Sequence, residues 1–280
     1  MNTKDVQRSS IDHRQDQQEA GFLSTGVSVA LQSGESWETE ELMDFVVEER
    51  PVALVYNGIS HAVMMATPTD LEDFALGFSL SENIIQHQYE MFSCELEGDS
   101  GSGLQLQMHI HGERLQSLKS RHRAMAGPTG CGLCGKRSLE ETQRKLPVLH
   151  RRGRPTPSVI QHAIQSIGNG QRIQLMTGAC HAAAWMDGQG NLLLIREDVG
   201  RHNALDKLIG ALVQQKVSLD EGFLLVTSRA SYEMVYKAVT VGITSMVAVS
   251  GATGMAVDTA RHSGMNLIGF ARQGRQVVYC

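Results

Sequence analysis

Aromatic side chains are scarce in this chain, at 5% of 280 residues, while glycine (28) and methionine (13) are plentiful. That balance disfavours an all-β sandwich and favours α/β layers joined by tight turns. No apolar run is long enough to span a bilayer. Met1 to Ala20 is polar, carries both signs of charge and lacks the apolar core of a signal peptide. A cytoplasmic protein with no membrane segment is therefore expected. In that compartment the five cysteines, at 94, 131, 134, 180 and 280, are expected to be free, metal-bound or catalytic rather than paired in structural disulfides. Cationic excess is also missing, since the net charge is −5, which argues against general nucleic-acid binding. There is no internal repeat and no strong linker. With 41% hydrophobic and 20% charged residues, the chain can bury a core as one large domain or two small ones.

Against this acidic background one window stands out. From His111 to Arg154 there are eleven Lys and Arg and three Glu, a local charge of +8 that leaves −13 for the rest. Inside it lies Gly130-Cys131-Gly132-Leu133-Cys134-Gly135-Lys136. Positive charge favours the thiolate, the reactive form of cysteine. The C-x-x-C spacing alone leaves several readings open: half a zinc site, a redox pair, a sulfur-transfer site, or coincidence. A closed zinc site needs four ligands, and the sequence offers no second C-x-x-C or H-x₃₋₅-H; Cys180-His181 is the one candidate for a second pair. Thioredoxin-like exchange places its dithiol at a helix start, whereas glycines flank this one on both sides. A zinc deaminase needs H-x-E and P-C-x-x-C, but His181 is followed by Ala182 and Ala183, and two residues separate Pro128 from Cys131.

Residues 1–25 read as a disordered arm, by composition. Residues 26–155 then read as an N-terminal α+β region carrying the basic C-x-x-C loop, and 156–280 as a C-terminal α/β region, with a soft boundary at Pro155-Thr156-Pro157. Pro51–Tyr56 and His61–Met65 flank Asn57-Gly58, a hairpin signature because both turn positions need φ > 0. Thr69 with Glu72 forms a capping-box pattern for a helix running to about Glu82. Strands are expected near 91–96 and 104–110, and a flexible loop from Met125 to Lys136. Apolar runs at Phe223–Val226, Met246–Val249 and Asn266–Phe270 alternate with helical patterns, which implies βαβ crossovers and a mainly parallel sheet.

Three further segments carry polar groups at places where ligands collect. In Arg196–Ile209 the apolar stripe Leu205, Leu208, Ile209 and Leu212 marks a helix from about Gly200, and Asp198, His202 and Asp206 recur every four residues. Those three are either a solvated face or a ligand-orienting surface with His202 held between two carboxylates. Ser250-Gly251-Ala252-Thr253-Gly254 follows a strand and opens a helix, where backbone N–H groups suit a phosphate. Phe270-Ala271-Arg272-Gln273-Gly274-Arg275 offers an aromatic face and two guanidiniums, able to stack on a planar heterocycle and to pair with phosphates. Arg229, Arg272 and Arg275 all fall at or after expected strand ends, where open α/β sheets bind ligands.

Taken together, Gly130–Gly135, Arg196–Lys207, Thr227-Ser228-Arg229-Ala230-Ser231-Tyr232-Glu233-Met234 and Gly269-Phe270-Ala271-Arg272 resemble the FdhD family, the sulfur carriers needed for formate dehydrogenase activity. The resemblance runs in consistent order from about Val46 to the C-terminus. It implies a three-layer α/β/α sandwich of the cytidine deaminase-like kind, a homodimer, and a sulfurtransferase reaction rather than deamination. Family members take sulfane sulfur from a cysteine desulfurase. They pass it to a molybdenum cofactor carrying two molybdopterin guanine dinucleotides, which then enters the formate dehydrogenase apoenzyme. By position, the resemblance makes Cys131 the persulfide-bearing residue, Cys134 its neighbour, and Phe270, Ala271, Arg272, Gln273, Gly274 and Arg275 the binding segment for the guanine dinucleotide cofactor. The role of Cys180, in Thr177-Gly178-Ala179-Cys180-His181, stays open. Two other readings are a chaperone that holds and delivers the cofactor without touching its sulfur, and a zinc-stabilised redox or regulatory protein.

Overall fold

The computed structural model describes residues 21–33, 36–99, 103–124, 146–150 and 153–280, with the backbone alone for 121–124. Cys131 and Cys134, the loop expected from Met125 to Lys136, and residues 1–20 of the expected arm lie outside the described residues. Residues 22–25 of that arm belong to a strand. β1 (Phe22–Ser33) and β2 (Ser36–Val47) form a two-stranded antiparallel ribbon.

β3 (Arg50–Tyr56) and β4 (Ile59–Ala66) make the expected hairpin, with Asn57 at φ 47° and Gly58 at φ 78°. β5 (Met91–Asp99) and β6 (Gly103–Ile110) complete a four-stranded sheet of order β4-β3-β6-β5. The helix between them, α1 (Leu71–Ser81), starts later than the capping-box reading placed it. Its N-cap is Asp70, in a left-handed conformation at φ 51°. The Asp70 side chain makes no cap hydrogen bond; its carboxylate lies 3.3 Å from Arg196 Nε instead. A basic helix, α2 (Gly112–Ala124), follows β6.

The second half is a six-stranded sheet of order β12-β11-β10-β9-β7-β8. Its strands are β7 (His181–Met186), β8 (Leu192–Asp198), β9 (Phe223–Val226), β10 (Ser245–Ala248), β11 (Asn266–Arg272) and β12 (Arg275–Val278). The sheet is mixed, but only its centre, β9-β10-β11, is parallel; β7 runs antiparallel to both β8 and β9, and β12 antiparallel to β11. The expectation of a mainly parallel sheet is corrected there. The runs at 223–226, 246–249 and 266–270 do form a parallel centre; the antiparallel share comes from β7, β8 and β12, which lie outside those runs and include two hairpins closed by tight turns at Asp187–Gly190 and Gln273-Gly274. Asp187 accepts from the amides of Gln189 and Asn191, and Gly274 sits at φ 72°.

Alternation along the strands builds three layers. Ala182, Ala184, Met186, Phe223 and Leu225 face α3 (Pro157–Ile167) through Ile160, Ala163 and Ile167. Thr156 caps α3 and Pro157 opens it, as a helix start prefers. On the other face Ala183, Trp185, Leu224 and Val226 pack with α5 (Arg201–Gln214), α6 (Tyr232–Thr240) and α7 (Gly254–Ser263). The expected stripe of Leu205, Leu208, Ile209 and Leu212 is buried there.

That same core continues through α1 into the four-stranded sheet, to Val52, Leu54, Tyr56 and Leu106. The boundary near Pro155 therefore does not divide the core. α1 and α5 cross at paired glycines: a Cβ on Gly77 would sit 1.7 Å from the Asp206 carbonyl oxygen, and one on Gly210 would sit 2.0 Å from that of Asp73. No larger side chain fits at either position unless the helices separate.

Candidate functional site

The run Arg196–Lys207, so dense in charge, is for the most part a joint. Arg196 donates to Asp73 at 2.7 Å. Glu197 accepts from the amides of Ile173 and Gln174, both at 2.8 Å, at the start of α4 (Arg172–Thr177). Asp198 is fully buried. One of its oxygens takes Lys207 Nζ at 2.7 Å and the Thr67 amide at 3.0 Å; the other takes the Gly200 amide at 2.7 Å and Asn203 Nδ2 at 3.0 Å. Lys207, also fully buried, donates to the Thr67 carbonyl at 2.8 Å. Asp206 binds Ser81 Oγ at 2.6 Å and Lys237 Nζ at 2.9 Å, and Glu82 completes the group at 2.8 Å from Lys237. Burial pushes Asp206 up to about 6 against the pull of Lys237. Lys237 is opposed by its own burial, yet Asp206 and Glu82 hold it above the usual lysine range.

His202 is therefore not held between Asp198 and Asp206, both of which are spent on lysines. Its Nε2 lies 3.2 Å from Glu233 Oε2, at the start of α6. Burial and then the Arg201 charge push His202 down to about 4. His181 is lowered by the same two causes in the same order. Both imidazoles are held towards the neutral form. The one readable signal for Glu233 was its place in the run from Thr227 to Met234; its pairing with His202 depends on helix packing.

The strand ends converge on one edge. β8 ends at Asp198 beside His181, the first residue of β7, and the turn after β9 joins the turn after β10 through the Ala230–Ala252 bridge. The Phe270 amide donates to Ser250 O at 2.9 Å, which ties β11 into the same edge. Phe270 stands at φ 48°, and a Cβ on Gly251 would meet its ring at 2.8 Å, so the ring lies directly over the small-residue turn. Arg275 stacks on that ring with its guanidinium carbon 5.5 Å from the centroid. Arg272 donates to Val249 O at 3.3 Å.

Gln161 of α3 braces the hairpin tip: it donates to Arg272 O at 3.0 Å and accepts from the Gly274 amide at 2.8 Å. Gln161 escaped the sequence reading, because nothing local ties residue 161 to a turn 111 positions later. Of the expected segment, Arg272, Gln273, Gly274 and Arg275 are exposed, Phe270 is half-buried, and Ala271 is buried under the sheet against α3. Thr253 caps α7 by accepting from the Ala256 amide at 3.3 Å; the first amides of the helix have no intrahelical partner and open onto the same edge. This edge suits a ligand with a planar base and phosphates.

Two of the described cysteines, Cys180 and Cys94, are in a different state from the one that the basic window favours. Cys180 is buried, and burial together with the charges of Glu197 and Asp198 pushes its thiol up to about 12. Burial, Glu72 and Glu95 push Cys94 up to about 11. Neither is a ready thiolate. Among the described residues no three His, Cys, Asp or Glu side chains gather as metal ligands, and no described helix is long and apolar enough to cross a membrane.

Residues 47–280 match the family model described as the FdhD/NarQ family. The chain is 49% identical over 238 residues to a sulfur carrier protein FdhD of Xanthomonas euvesicatoria, which covers 85% of this chain and 84% of that relative. It is 50% identical over 246 residues to a sulfur carrier protein FdhD of Cupriavidus necator, covering 87% and 85%. Its fold is similar to the crystal structure of a candidate formate dehydrogenase accessory protein from Desulfotalea psychrophila. The TM-score is 0.67 at 21% identity, over 91% of this chain and 96% of that one.

Proposed function

The chain belongs to the FdhD/NarQ family, and from that premise we propose that it carries sulfur for formate dehydrogenase. In this reading it accepts sulfane sulfur from a cysteine desulfurase as a persulfide on Cys131. It then delivers that sulfur to molybdenum bis(molybdopterin guanine dinucleotide), held as cargo at Phe270–Arg275, before the cofactor enters the apoenzyme. We place it in the cytoplasm as a homodimer.

The observation that carries the reading is the contrast between thiols. Cys94 and Cys180 sit beside carboxylates and are held as thiols, whereas Cys131 and Cys134 occupy the +8 window of the sequence. A neighbouring positive charge raises the thiolate fraction and so the rate of attack on a disulfide-like bond. The Cys131 thiolate attacks the outer sulfur of the desulfurase persulfide; one S–S bond forms, one breaks, and the desulfurase cysteine leaves as thiolate. The Cys134 thiolate then attacks Cys131 Sγ. The outer sulfur leaves as hydrosulfide, a Cys131–Cys134 disulfide remains, and the two thiols supply the two electrons. A cellular dithiol resets the pair.

At the other end, the Phe270–Arg275 pair offers a planar stacking surface for guanine, and the Ser250–Gly254 turn with Arg272 offers donors to the diphosphate. The test is transfer of radiolabelled sulfur from cysteine through a purified desulfurase onto wild type, Cys131→Ala and Cys134→Ala, read on non-reducing gels. Reductant-sensitive label that disappears with Cys131→Ala is expected. An unlabelled wild type beside a charged desulfurase would leave only a chaperone that holds the cofactor.

A further inference from the structure

The molecule holds a cavity that neither the buried charge run nor the sheet edge uses. It measures about 440 Å³ and lies at the far ends of two helices, where Leu212 and Val213 of α5 and Thr240 of α6 line it. α5 is 14 residues long; at about 1.5 Å per residue, the cavity is roughly 20 Å from the edge where Arg201 begins that helix. Ile209, Leu212 and Ile243 are buried, while Val213, Val217 and Leu219 are only half-buried. No charged side chain is among the described residues that line it. Such walls offer nothing to a phosphate or a carboxylate, and they suit an apolar side chain.

The rim points to a protein as the occupant. Gln86, one of the lining residues, donates its amide to Glu90 at 2.6 Å and accepts from Arg114 of α2 at 2.7 Å. Between and just beyond these partners, Tyr89 and Phe92 are 74% and 67% exposed, and aromatic rings are the usual anchors of protein interfaces. His87 stacks on Tyr89, and His111 meets Phe92 edge to face, so both rings are held in place before any partner arrives. Charge adds a second constraint. Arg114 stands near the start of the +8 window, and Leu146-Pro147, which also line the cavity, stand near its end. The chain thus enters and leaves its strongly basic stretch beside the cavity, which favours an acidic visitor. Cys131 is seven residues beyond Ala124, the end of α2, and seven residues span at most about 25 Å.

We propose that this cavity and its Tyr89–Phe92 rim are the docking surface for the protein that hands over the persulfide. That partner presents an acidic face, one apolar side chain of which enters the cavity and brings the donor cysteine within the span of Cys131. The proposal rests on the reading of Cys131 as the persulfide carrier. It places donor and cargo at opposite ends of α5 and α6, so that both can be bound at once.

The experiment compares two donors of labelled sulfur to Cys131: a purified cysteine desulfurase supplied with cysteine, and glutathione persulfide, which needs no docking surface. Wild type, Val217→Asp and Tyr89→Ala are first compared by melting curve and by sedimentation. Val217→Asp puts a carboxylate into the cavity wall, against an acidic partner. Labelling from the desulfurase should slow about tenfold in Val217→Asp and about threefold in Tyr89→Ala, and a higher desulfurase concentration should restore it. Labelling by glutathione persulfide should stay within about twofold of wild type in both. Should Val217→Asp melt early, Tyr89→Ala carries the comparison alone, because its ring is mostly exposed. Wild-type rates from the desulfurase in both variants overturn the docking surface. So does an equal loss with both donors, and so does a changed oligomeric state, which would assign the cavity to a second copy of this chain. Wild type that neither donor labels at Cys131 overturns the carrier reading itself, and the docking surface with it.

Discussion

The charged run at the start of α5 and the sheet edge beside it use similar side chains in opposite ways. In the run, Arg196, Glu197, Asp198, Asp206 and Lys207 are all paired, and Asp198, Asp206 and Lys207 are almost wholly buried. They tie the four-stranded sheet and α1 to the six-stranded sheet through Asp73, Thr67 and Ser81. At the edge, Arg229, Arg272 and Arg275 are exposed, and Arg201 Nε and Ser231 Oγ have no hydrogen-bond partner among the described residues. A dense charged run is thus mainly a device for folding, and the sparser edge is where the chain has capacity to spare for a ligand. The price of a buried charge network is that each member depends on the others.

The sharpest way to break the comparison is Lys207→Met. It strands the Asp198 carboxylate in the core, and a loss of about 3–5 kcal/mol is expected, read as a collapse of the melting transition or of soluble yield. A melting curve like that of wild type would show that the run is not a joint. Gly210→Ala comes next, because its methyl meets the Asp73 carbonyl; forcing the helices apart should cost about 1–3 kcal/mol or more, measured by urea titration. Arg272→Ala should do the reverse of Lys207→Met: stability within about 0.5 kcal/mol of wild type, with GDP affinity reduced about tenfold.

A smaller effect separates the two regions by pH. His202 in the fold sits at about 4 against 6.5 when unperturbed. Between those values the unfolded chain binds a proton that the folded chain refuses, so this residue makes stability rise as pH goes from about 4 to 6.5. The slope should be flatter in His202→Gln, as read by denaturant titrations at several pH values. The smallest effect belongs to Cys180→Ser, which should leave sulfur labelling unchanged because its thiol is pushed up to about 12.

Much of the fold was legible because its signals are local. Asn57-Gly58 announces a hairpin through the φ its two residues need, and the leucines of α5 mark one face at a period of 3.6. The sheet was judged mainly parallel from the three runs that form its parallel centre, whereas β7, β8 and β12, which make it mixed, lay outside those runs. Phe270 and Arg275 were readable as a stacking group from their closeness in sequence, and the structure puts them together. Gln161 and the Glu233–His202 contact were not readable, since each joins elements distant in the chain. Asp198 and Asp206 misled for a related reason: a four-residue period places groups on one helix face, but only tertiary packing decides whether that face meets solvent, a ligand or a lysine.

The most direct test of the central claim is mass spectrometry of the peptide spanning Gly130–Lys136 after the protein has met a cysteine desulfurase and cysteine. One added sulfur on Cys131, with Cys94 and Cys180 unmodified, is the result the account predicts. Sulfur on Cys180 or Cys94, or on no cysteine while the desulfurase itself is loaded, would contradict it.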